Sequence, residues 1–233
     1  MTTRIADWLE AYLARTREVA TTAFAVVPLV LVYGLGLLTA SERARSGVDF
    51  VSTRLVATVP TVTYVGVQIA IAVGLVFFAL FRAERPIRDH LRWAWPAVGE
   101  ACAWGLGLGG IVLFIMGEAQ LLSIVVSGPF VDRLVLSAGA GLHEELLFRA
   151  LLIPLITVLL AKAIGVPKNT AIIGAVLFSS LLFSGAHHLA GEPFDGFVFL
   201  YRLVAGLVFA CLFIWRGFAI TAWTHAAYDF SVL

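Results

Sequence analysis

Apolar runs long enough to cross a membrane recur along almost the whole chain. A transmembrane helix requires about 20 such residues, because it rises about 1.5 Å per residue through a hydrocarbon core of about 30 Å. Hydrophobic residues make up 61% of the 233 residues and charged residues 13%, whereas soluble domains average about 45–50% and about 25%. We therefore predict an all-α, polytopic integral membrane helix bundle with spans near 20–39, 55–81, 97–116, 131–162, 169–188, 197–215 and 217–233.

The number of spans depends on residues 117–130. This segment is short and reaches Gly128-Pro129, which is typical of an interfacial or re-entrant segment. If it crosses the membrane together with part of its neighbours, the count rises by one. We expect about seven to eight transmembrane helices in a single domain over residues 19–233.

Residues 1–18 precede the first span and have a different pattern. Ile5, Trp8 and Tyr12 follow helical spacing, which indicates an amphipathic helix lying in the membrane interface. A solvated helix with no role is the alternative. The mixed charges in this segment, followed by a span-length apolar run, argue against a cleavable signal peptide.

Two simple counts exclude other classes of protein. The formal net charge of +1 gives no support for nucleic-acid binding. Cys102 and Cys211 both lie in apolar segments and neither has a CxxC partner, which argues against a structural disulfide or a thiolate metal site. We expect a multi-pass protein of the bacterial inner (plasma) membrane.

Three charges interrupt the apolar stretch from Leu134 to Leu160, at Glu144, Glu145 and Arg149. A charge at bilayer depth costs about 2.5–3.5 kcal/mol on insertion scales, so such residues indicate a functional site by default. Glu145 and Arg149 have the i, i+4 spacing of an ion pair. Glu144 lies about 100° further round an α-helix, which leaves it as the unpaired acid and a candidate general base. A helix-packing ion pair without chemistry is the alternative.

Histidines in two later spans accompany these carboxylates. His187 ends the fifth span, four residues after Phe183, and His225 lies four residues before Asp229 in the last span. In a seven-span topology all three clusters reach a similar depth. A carboxylate and two imidazoles suit hydrolysis by an activated water, with or without a metal. We interpret His188 as a residue at the water interface.

Signatures of several other hydrolases and nucleotide-binding proteins are absent. His143-Glu144 begins like the zinc-binding His-Glu-x-x-His sequence, but position 147 is Leu. The chain has neither a Gly-x-Ser-x-Gly elbow nor a Walker A sequence.

These residues, in this order, resemble the CPBP family of intramembrane proteases, which includes type II CAAX prenyl endopeptidases and the Abi or bacteriocin-processing proteins. The family pattern is Glu-Glu-x-x-x-Arg, then Phe-x-x-x-His, then His-x-x-x-Asn/Asp, each on a membrane helix. The chain carries it as Glu144-Glu145-x-x-x-Arg149, Phe183-x-x-x-His187 and His225-x-x-x-Asp229. The resemblance covers a protease-like core of about residues 100–233.

The resemblance implies hydrolysis of a peptide bond in a membrane-associated peptide or protein, either prenylated or leader-containing. Glu144 and His187 would position and deprotonate a water. His225 and Asp229 would stabilise the oxyanion or serve as further ligands. Glu145 and Arg149, with Phe183, would support the site. The family is commonly described as metal-dependent, so a divalent metal such as zinc bound by Glu144, His187, His225 and Asp229 fits, as does a metal-free activated water.

Asp229 is less suited than Asn to bind an oxyanion. An oxyanion hole requires a hydrogen-bond donor, and ionised Asp229 would repel the developing charge. Asp229 is therefore expected to be protonated, to coordinate a metal or to orient His225.

Two other classes of function stay open: a small proton-coupled transporter that uses the buried charges as a relay, and a non-catalytic membrane scaffold or immunity protein.

Overall fold

The computed structural model describes residues 2–41, 49–117, 128–189 and 193–233. Those residues are helical apart from short connections, which confirms the predicted all-α class. They form nine helices: α1 Thr2–Arg15, α2 Val19–Gly36, α3 Phe50–Thr58, α4 Thr61–Arg82, α5 Ile87–Ile115, α6 Phe130–Ala163, α7 Lys168–Leu189, α8 Gly196–Arg216 and α9 Phe218–Val232.

Six of these helices, α2 and α4 to α8, are long and apolar enough to cross a membrane, so the chain is a multi-pass membrane protein. Helix α9 has 15 residues, which at about 1.5 Å per residue gives about 22 Å, less than the hydrocarbon core of about 30 Å. The predicted count of seven to eight spans is therefore not confirmed. Residues 118–127, most of the candidate eighth span, lie outside the described residues.

Two helix boundaries differ from the predicted spans. The span predicted from residue 55 starts at Thr61, because Pro60 separates α3 from α4 and disfavours helical geometry in the residue before it. The span predicted from residue 97 starts ten residues earlier, at Ile87. In its first turns Arg88 and Arg92 are exposed, whereas His90 is buried and its Nδ1 lies 2.9 Å from Thr21 Oγ1.

Helix α9 is wedged between α5 and α6 at positions where both neighbours carry glycine. A Cβ atom on Gly105 of α5 would lie 2.7 Å from the carbonyl oxygen of Thr224. A Cβ atom on Gly141 of α6 would lie 2.3 Å from the carbonyl oxygen of Ala222. Only glycine allows the backbones to approach so closely. These two close contacts fix the position of α9 in the bundle.

Helix α6 is π-helical over Ala140–Glu144 and Leu146–Leu152. In a π-helix the backbone hydrogen bonds run from i to i+5, so each residue turns less far round the axis than in an α-helix. Pro154 follows the second stretch, and its ring is incompatible with a regular α-helical turn before it. Such stretches occur frequently at functional sites, and these two flank Glu145.

Helix α1 packs on the ends of α5 and α8. The rings of Trp8 and Tyr12 stack with centroids 5.3 Å apart, and the Tyr12 hydroxyl donates to Glu100 Oε2 at 2.6 Å. Burial, together with the Glu100 carboxylate, raises the pKa of Tyr12, so the phenol stays protonated as a donor. Ile5 and Leu9 are exposed. The interfacial location of residues 1–18 stays a prediction.

Candidate active site

The predicted clusters on α6, α7 and α9 converge on the carboxylate of Glu144. Glu144 Oε2 lies 3.9 Å from His187 Nε2 and 4.0 Å from His225 Nε2. The carboxylate is buried, and its Oε2 makes no hydrogen bond with the described part of the chain. The structure therefore brings one carboxylate oxygen and two imidazole nitrogens, from three separate helices, around a common point.

The ion pair predicted between Glu145 and Arg149 is formed. Arg149 Nη1 lies 2.9 Å from Glu145 Oε1, and both side chains are fully buried. Arg149 Nη2 also donates to the carbonyl oxygen of Gly206 on α8 at 3.3 Å. Its guanidinium carbon sits 4.2 Å from the centre of the Phe183 ring, a cation–π contact. Arg149 thus ties α6 to α7 and α8 behind Glu144.

Glu145 also contacts His225, the imidazole that the sequence analysis paired with Asp229. His225 Nδ1 donates to Glu145 Oε1 at 2.7 Å. The prediction that Glu144 and Glu145 cannot share a face assumed α-helical rotation, and the π-helical backbone of α6 brings both carboxylates to the same imidazole. An ionised carboxylate only accepts hydrogen bonds. Glu145 therefore holds a proton on Nδ1, and Nε2 faces Glu144.

Asp229 lies on the other side of that imidazole. Its Oδ2 is 3.5 Å from His225 Nε2, so Asp229 does not hold the Nδ1 proton. Glu145 makes the contact at Nδ1, and the role of Asp229 stays a prediction. Asp229 instead adds a third carboxylate to the side of His225 that faces Glu144.

A backbone carbonyl fixes the orientation of the second imidazole. His187 Nδ1 lies 2.9 Å from the carbonyl oxygen of Phe183, which can only accept, so Nδ1 carries the proton. His187 Nε2 then faces Glu144. The buried ring of Phe183 packs against the rings of both His187 and His225, with centroids 5.2 and 5.9 Å apart. Phe183 therefore holds the two imidazoles at their spacing.

His188 stands apart from this group. Its Nδ1 lies 3.2 Å from the carbonyl oxygen of Pro193, and its ring packs against Phe194 and Phe199 with centroids 5.2 and 5.9 Å apart. These contacts join the end of α7 to the start of α8. The interpretation of His188 as an interfacial residue stays a prediction.

Helix α8 contributes residues that the motifs did not include. The Phe209 ring stacks on His225 at 4.5 Å, nearly parallel. A Cβ on Gly206 would lie 3.2 Å from Phe183 Cδ1, so α8 packs directly against the site. The available sequence signal was spacing, because Arg202, Gly206 and Phe209 are at i, i+4 and i+7 and share one helix face.

A divalent metal ion bound by this cluster was one of the two options given by the sequence analysis. Imidazole nitrogens and carboxylate oxygens are ligands that zinc takes, at about 2.0–2.2 Å. As placed, however, no group of three or more His, Cys, Asp or Glu side chains in the described ranges could hold an ion. The donor types suit a metal and their arrangement does not. We therefore derive no chemical step through one.

Comparison with known proteins agrees with the motifs. Residues 126–231 match the family model described as type II CAAX prenyl endopeptidase Rce1-like. That segment includes every predicted site residue from Glu144 to Asp229. The comparisons with curated proteins and with solved structures gave no match.

Proposed function

Since the chain belongs, through residues 126–231, to the Rce1-like type II CAAX prenyl endopeptidase family, we propose that it is an intramembrane endopeptidase in which Glu144 activates a water molecule. The observation that carries this proposal is the convergence of Glu144 Oε2 with the Nε2 atoms of His187 and His225, at 3.9 and 4.0 Å. A carboxylate oxygen and two imidazole nitrogens around one point suit a water molecule, which can both donate and accept hydrogen bonds.

The reaction follows from these acceptors. Glu144 takes one proton from the water as its oxygen attacks the scissile carbonyl carbon, and a C–O bond forms while the carbonyl oxygen becomes an oxyanion. His187 Nε2 accepts a hydrogen bond from the second water proton. When the intermediate collapses, Glu144 returns its proton to the amide nitrogen. The C–N bond then breaks to give an amine and a carboxylic acid.

The remaining residues position these groups. Glu145 keeps the Nδ1 proton of His225 in place, so that Nε2 points at the water, and Arg149 balances the charge of Glu145. A carboxylate behind an imidazole commonly fixes the tautomer in this way. Phe183 and Phe209 sandwich the His225 ring. We assign these residues to positioning rather than to contact with the substrate.

A metallo-endopeptidase is the alternative form of this proposal. A divalent ion such as zinc, held by Glu144, His187, His225 and Asp229, would polarise the substrate carbonyl and activate the water. Removal of metal distinguishes the two, as described in the Discussion.

We further propose that the substrate is a membrane-associated peptide, either prenylated or leader-containing, and that the protein resides in the plasma membrane of a bacterium. The family match and the six apolar helices support a substrate that approaches from the membrane. Nothing in the cluster selects between a prenyl group and a leader sequence, so both classes of peptide belong in the assay.

The test uses the purified protein in proteoliposomes with a fluorogenic peptide ending in a farnesylated Cys-a-a-X motif, and in parallel with a leader peptide. We expect Glu144→Gln to lower the cleavage rate by about 10²–10⁴-fold, the usual contribution of a general acid–base group. Glu84→Gln, the same change at an exposed position, is the matched control.

Two results would contradict the proposal. One is cleavage by the Glu144→Gln protein at the wild-type rate, with products identified by mass spectrometry. The other is a proton flux across the same proteoliposomes that requires Glu144, while neither peptide is cleaved, which would support the proton-coupled transporter instead.

A further inference from the structure

A groove lies between α1, α5 and α8, where α1 packs on the ends of the other two helices. Its volume is about 520 Å³, within the range of about 300–1,000 Å³ that small-molecule sites have. Its apolar lining side chains are Trp8, Leu9, Leu13, Pro96 and Trp215. Of the polar lining residues, Tyr12 and Arg216 both donate to Glu100. Because these polar groups bond to one another, the groove suits an apolar occupant.

The groove is separate from the candidate active site. Pro96 in its wall is nine residues before Gly105 on α5, and Gly105 packs against the carbonyl oxygen of Thr224, next to His225. At about 1.5 Å per residue, this places the groove about 13 Å from the level of His225 along α5. A molecule in the groove would therefore leave the cluster around Glu144 untouched.

Two arginines continue the groove wall towards the start of α5. Arg88, Arg92 and Pro96 are spaced at i, i+4 and i+8, so they form one ridge along the helix, and all three are exposed. Helix α5 begins at Ile87. Arg92 and Arg88 thus lie about 6 and 12 Å from Pro96 along the axis, towards the helix end. The ridge runs from an apolar wall to two positive charges.

The charges of these arginines are largely uncompensated by the protein. Arg88 Nε lies 3.9 Å from Asp89 Oδ1, and the Arg88 side chain is 86% exposed. The guanidinium carbon of Arg92 lies 5.6 Å from the centre of the Trp93 ring, and Arg92 forms no ion pair within the described ranges. An arginine has five N–H donors. Both side chains therefore have donors left for an anionic group.

Tryptophans mark the depth of this groove in the membrane. Trp8 and Trp215 line it. Trp93 contacts Trp8 and Trp104 contacts Trp215, with ring centroids 6.1 and 6.2 Å apart. Four of the six tryptophans of the chain are thus grouped here. Tryptophan is enriched at the membrane–water interface, which is the level at which the headgroup of a phospholipid joins its acyl chains.

We propose that this groove binds an acyl chain of an anionic phospholipid, and that Arg88 and Arg92 pair with its phosphate. The order along the ridge matches the order of groups in the lipid, with the charge at the helix end and the chain beside Pro96. Guanidinium groups bind phosphate oxygens through paired N–H donors. The occupant is a lipid of the surrounding bilayer, and the inference does not depend on the proposed peptidase function.

The experiment uses the full chain in phosphatidylcholine vesicles and measures tryptophan fluorescence. Phosphatidylglycerol with brominated acyl chains is added at rising mole fraction, because bromine quenches tryptophans that the chain contacts. Phosphatidylcholine with the same brominated chains gives the reference. We expect the association constant of the anionic lipid to exceed the reference about fivefold, the attraction that one basic residue near the surface adds for anionic lipid.

Arginine variants test the headgroup contact. We expect the double variant Arg88→Gln, Arg92→Gln to bind the two brominated lipids equally, because it has lost the cations that distinguish them. The matched control is Lys162→Gln, Lys168→Gln, which removes the same charge from exposed positions between α6 and α7. The control is expected to keep the wild-type preference. All four side chains are exposed, so melting temperatures are expected to stay unchanged.

A wall variant tests the chain contact. Leu9 lines the groove and is 47% exposed, so Leu9→Gln places an amide in the apolar wall without disturbing the interior. We expect this variant to lower the association constant of brominated phosphatidylglycerol several-fold, since the amide is costly to desolvate. Ile5→Gln, the same kind of change at an exposed position of α1 outside the groove lining, is expected to bind as wild type does.

Four results would overturn the proposal. They are equal binding of the two lipids by wild type, an equal loss of preference in the lysine control, unchanged binding by Leu9→Gln, and displacement of the brominated lipid by the farnesylated Cys-a-a-X peptide. The last result would assign the groove to the prenyl chain of a substrate. The fluorescence measurement requires no cleavage, so its outcome is independent of the test of Glu144.

Discussion

Two glutamate–arginine pairs lie inside the helix bundle, and their carboxylates differ in the other groups that they contact. Glu100 accepts two hydrogen bonds from Arg216, at 2.7 and 2.8 Å, and one from Tyr12 at 2.6 Å. Trp104 Nε1 adds a fourth at 3.3 Å. All of these donors belong to side chains that join α1, α5 and α8, so the carboxylate is saturated by its structural partners.

The pair on α6 is arranged differently. Glu145 forms an ion pair with Arg149 and accepts a hydrogen bond from His225 Nδ1, and His225 in turn faces Glu144. Glu144 Oε2 faces the Nε2 atoms of both imidazoles and has no hydrogen bond from the residues that the structure describes. The carboxylate of Glu100 is fully engaged in holding helices together, whereas the Glu145 pair leads to a carboxylate oxygen that is available to a reacting molecule.

Breaking the α6 pair is the strongest test of this comparison. Arg149→Met removes the guanidinium and leaves Glu145 buried beside His225 alone. We expect a loss of about 3–5 kcal/mol in the free energy of unfolding, as for other buried pairs broken on one side, and loss of peptide cleavage as well. The measurements are thermal unfolding in detergent and the proteoliposome assay. Wild-type activity in a destabilised Arg149→Met protein would contradict the positioning role.

Breaking the second pair sharpens the contrast. Arg216→Met leaves Glu100 with Tyr12 and Trp104 as donors and with its side chain 20% exposed. We expect a smaller loss, about 1–3 kcal/mol, the range for leaving one buried polar group unsatisfied. The cleavage rate per folded molecule is expected to stay at the wild-type level. A loss of kcat without a change in melting temperature would show that this pair also serves the reaction.

Metal removal is expected to have the smallest effect. If the water is activated by Glu144 alone, dialysis against 1,10-phenanthroline or EDTA leaves the cleavage rate unchanged, and elemental analysis of the active protein finds no stoichiometric metal. Loss of activity that zinc restores would replace this form of the mechanism with the metallo-endopeptidase. The control is the same treatment of Glu144→Gln, which binds no ion through that carboxylate.

Much of this arrangement could be predicted from the sequence, because it depends on local spacing. The i, i+4 pair of Glu145 and Arg149 is present, and the clusters predicted to reach a similar depth meet at Glu144. Hydropathy placed most spans within a few residues. It missed the start of α5, since buried partners such as Thr21 for His90 are supplied by other helices.

The remaining features depend on tertiary structure. The contact between Glu145 and His225 is made on the π-helical part of α6, whereas the sequence analysis assumed regular α-helical rotation. The stacking of Phe209 on His225 joins residues on two helices whose register the sequence does not define. The predicted last span, 217–233, was already short, and α9 has 15 residues.

The glycine contacts of α9 have a consequence for how the protein matures. Helix α9 follows α6 and α7 in the chain, and it brings His225 to Glu144 only when its backbone seats against Gly105 and Gly141. The six membrane-crossing helices are therefore inserted before the site exists. Until α9 docks, Glu144 has only one of its two imidazoles, so a nascent chain in the bilayer is an inert precursor of the enzyme that we propose.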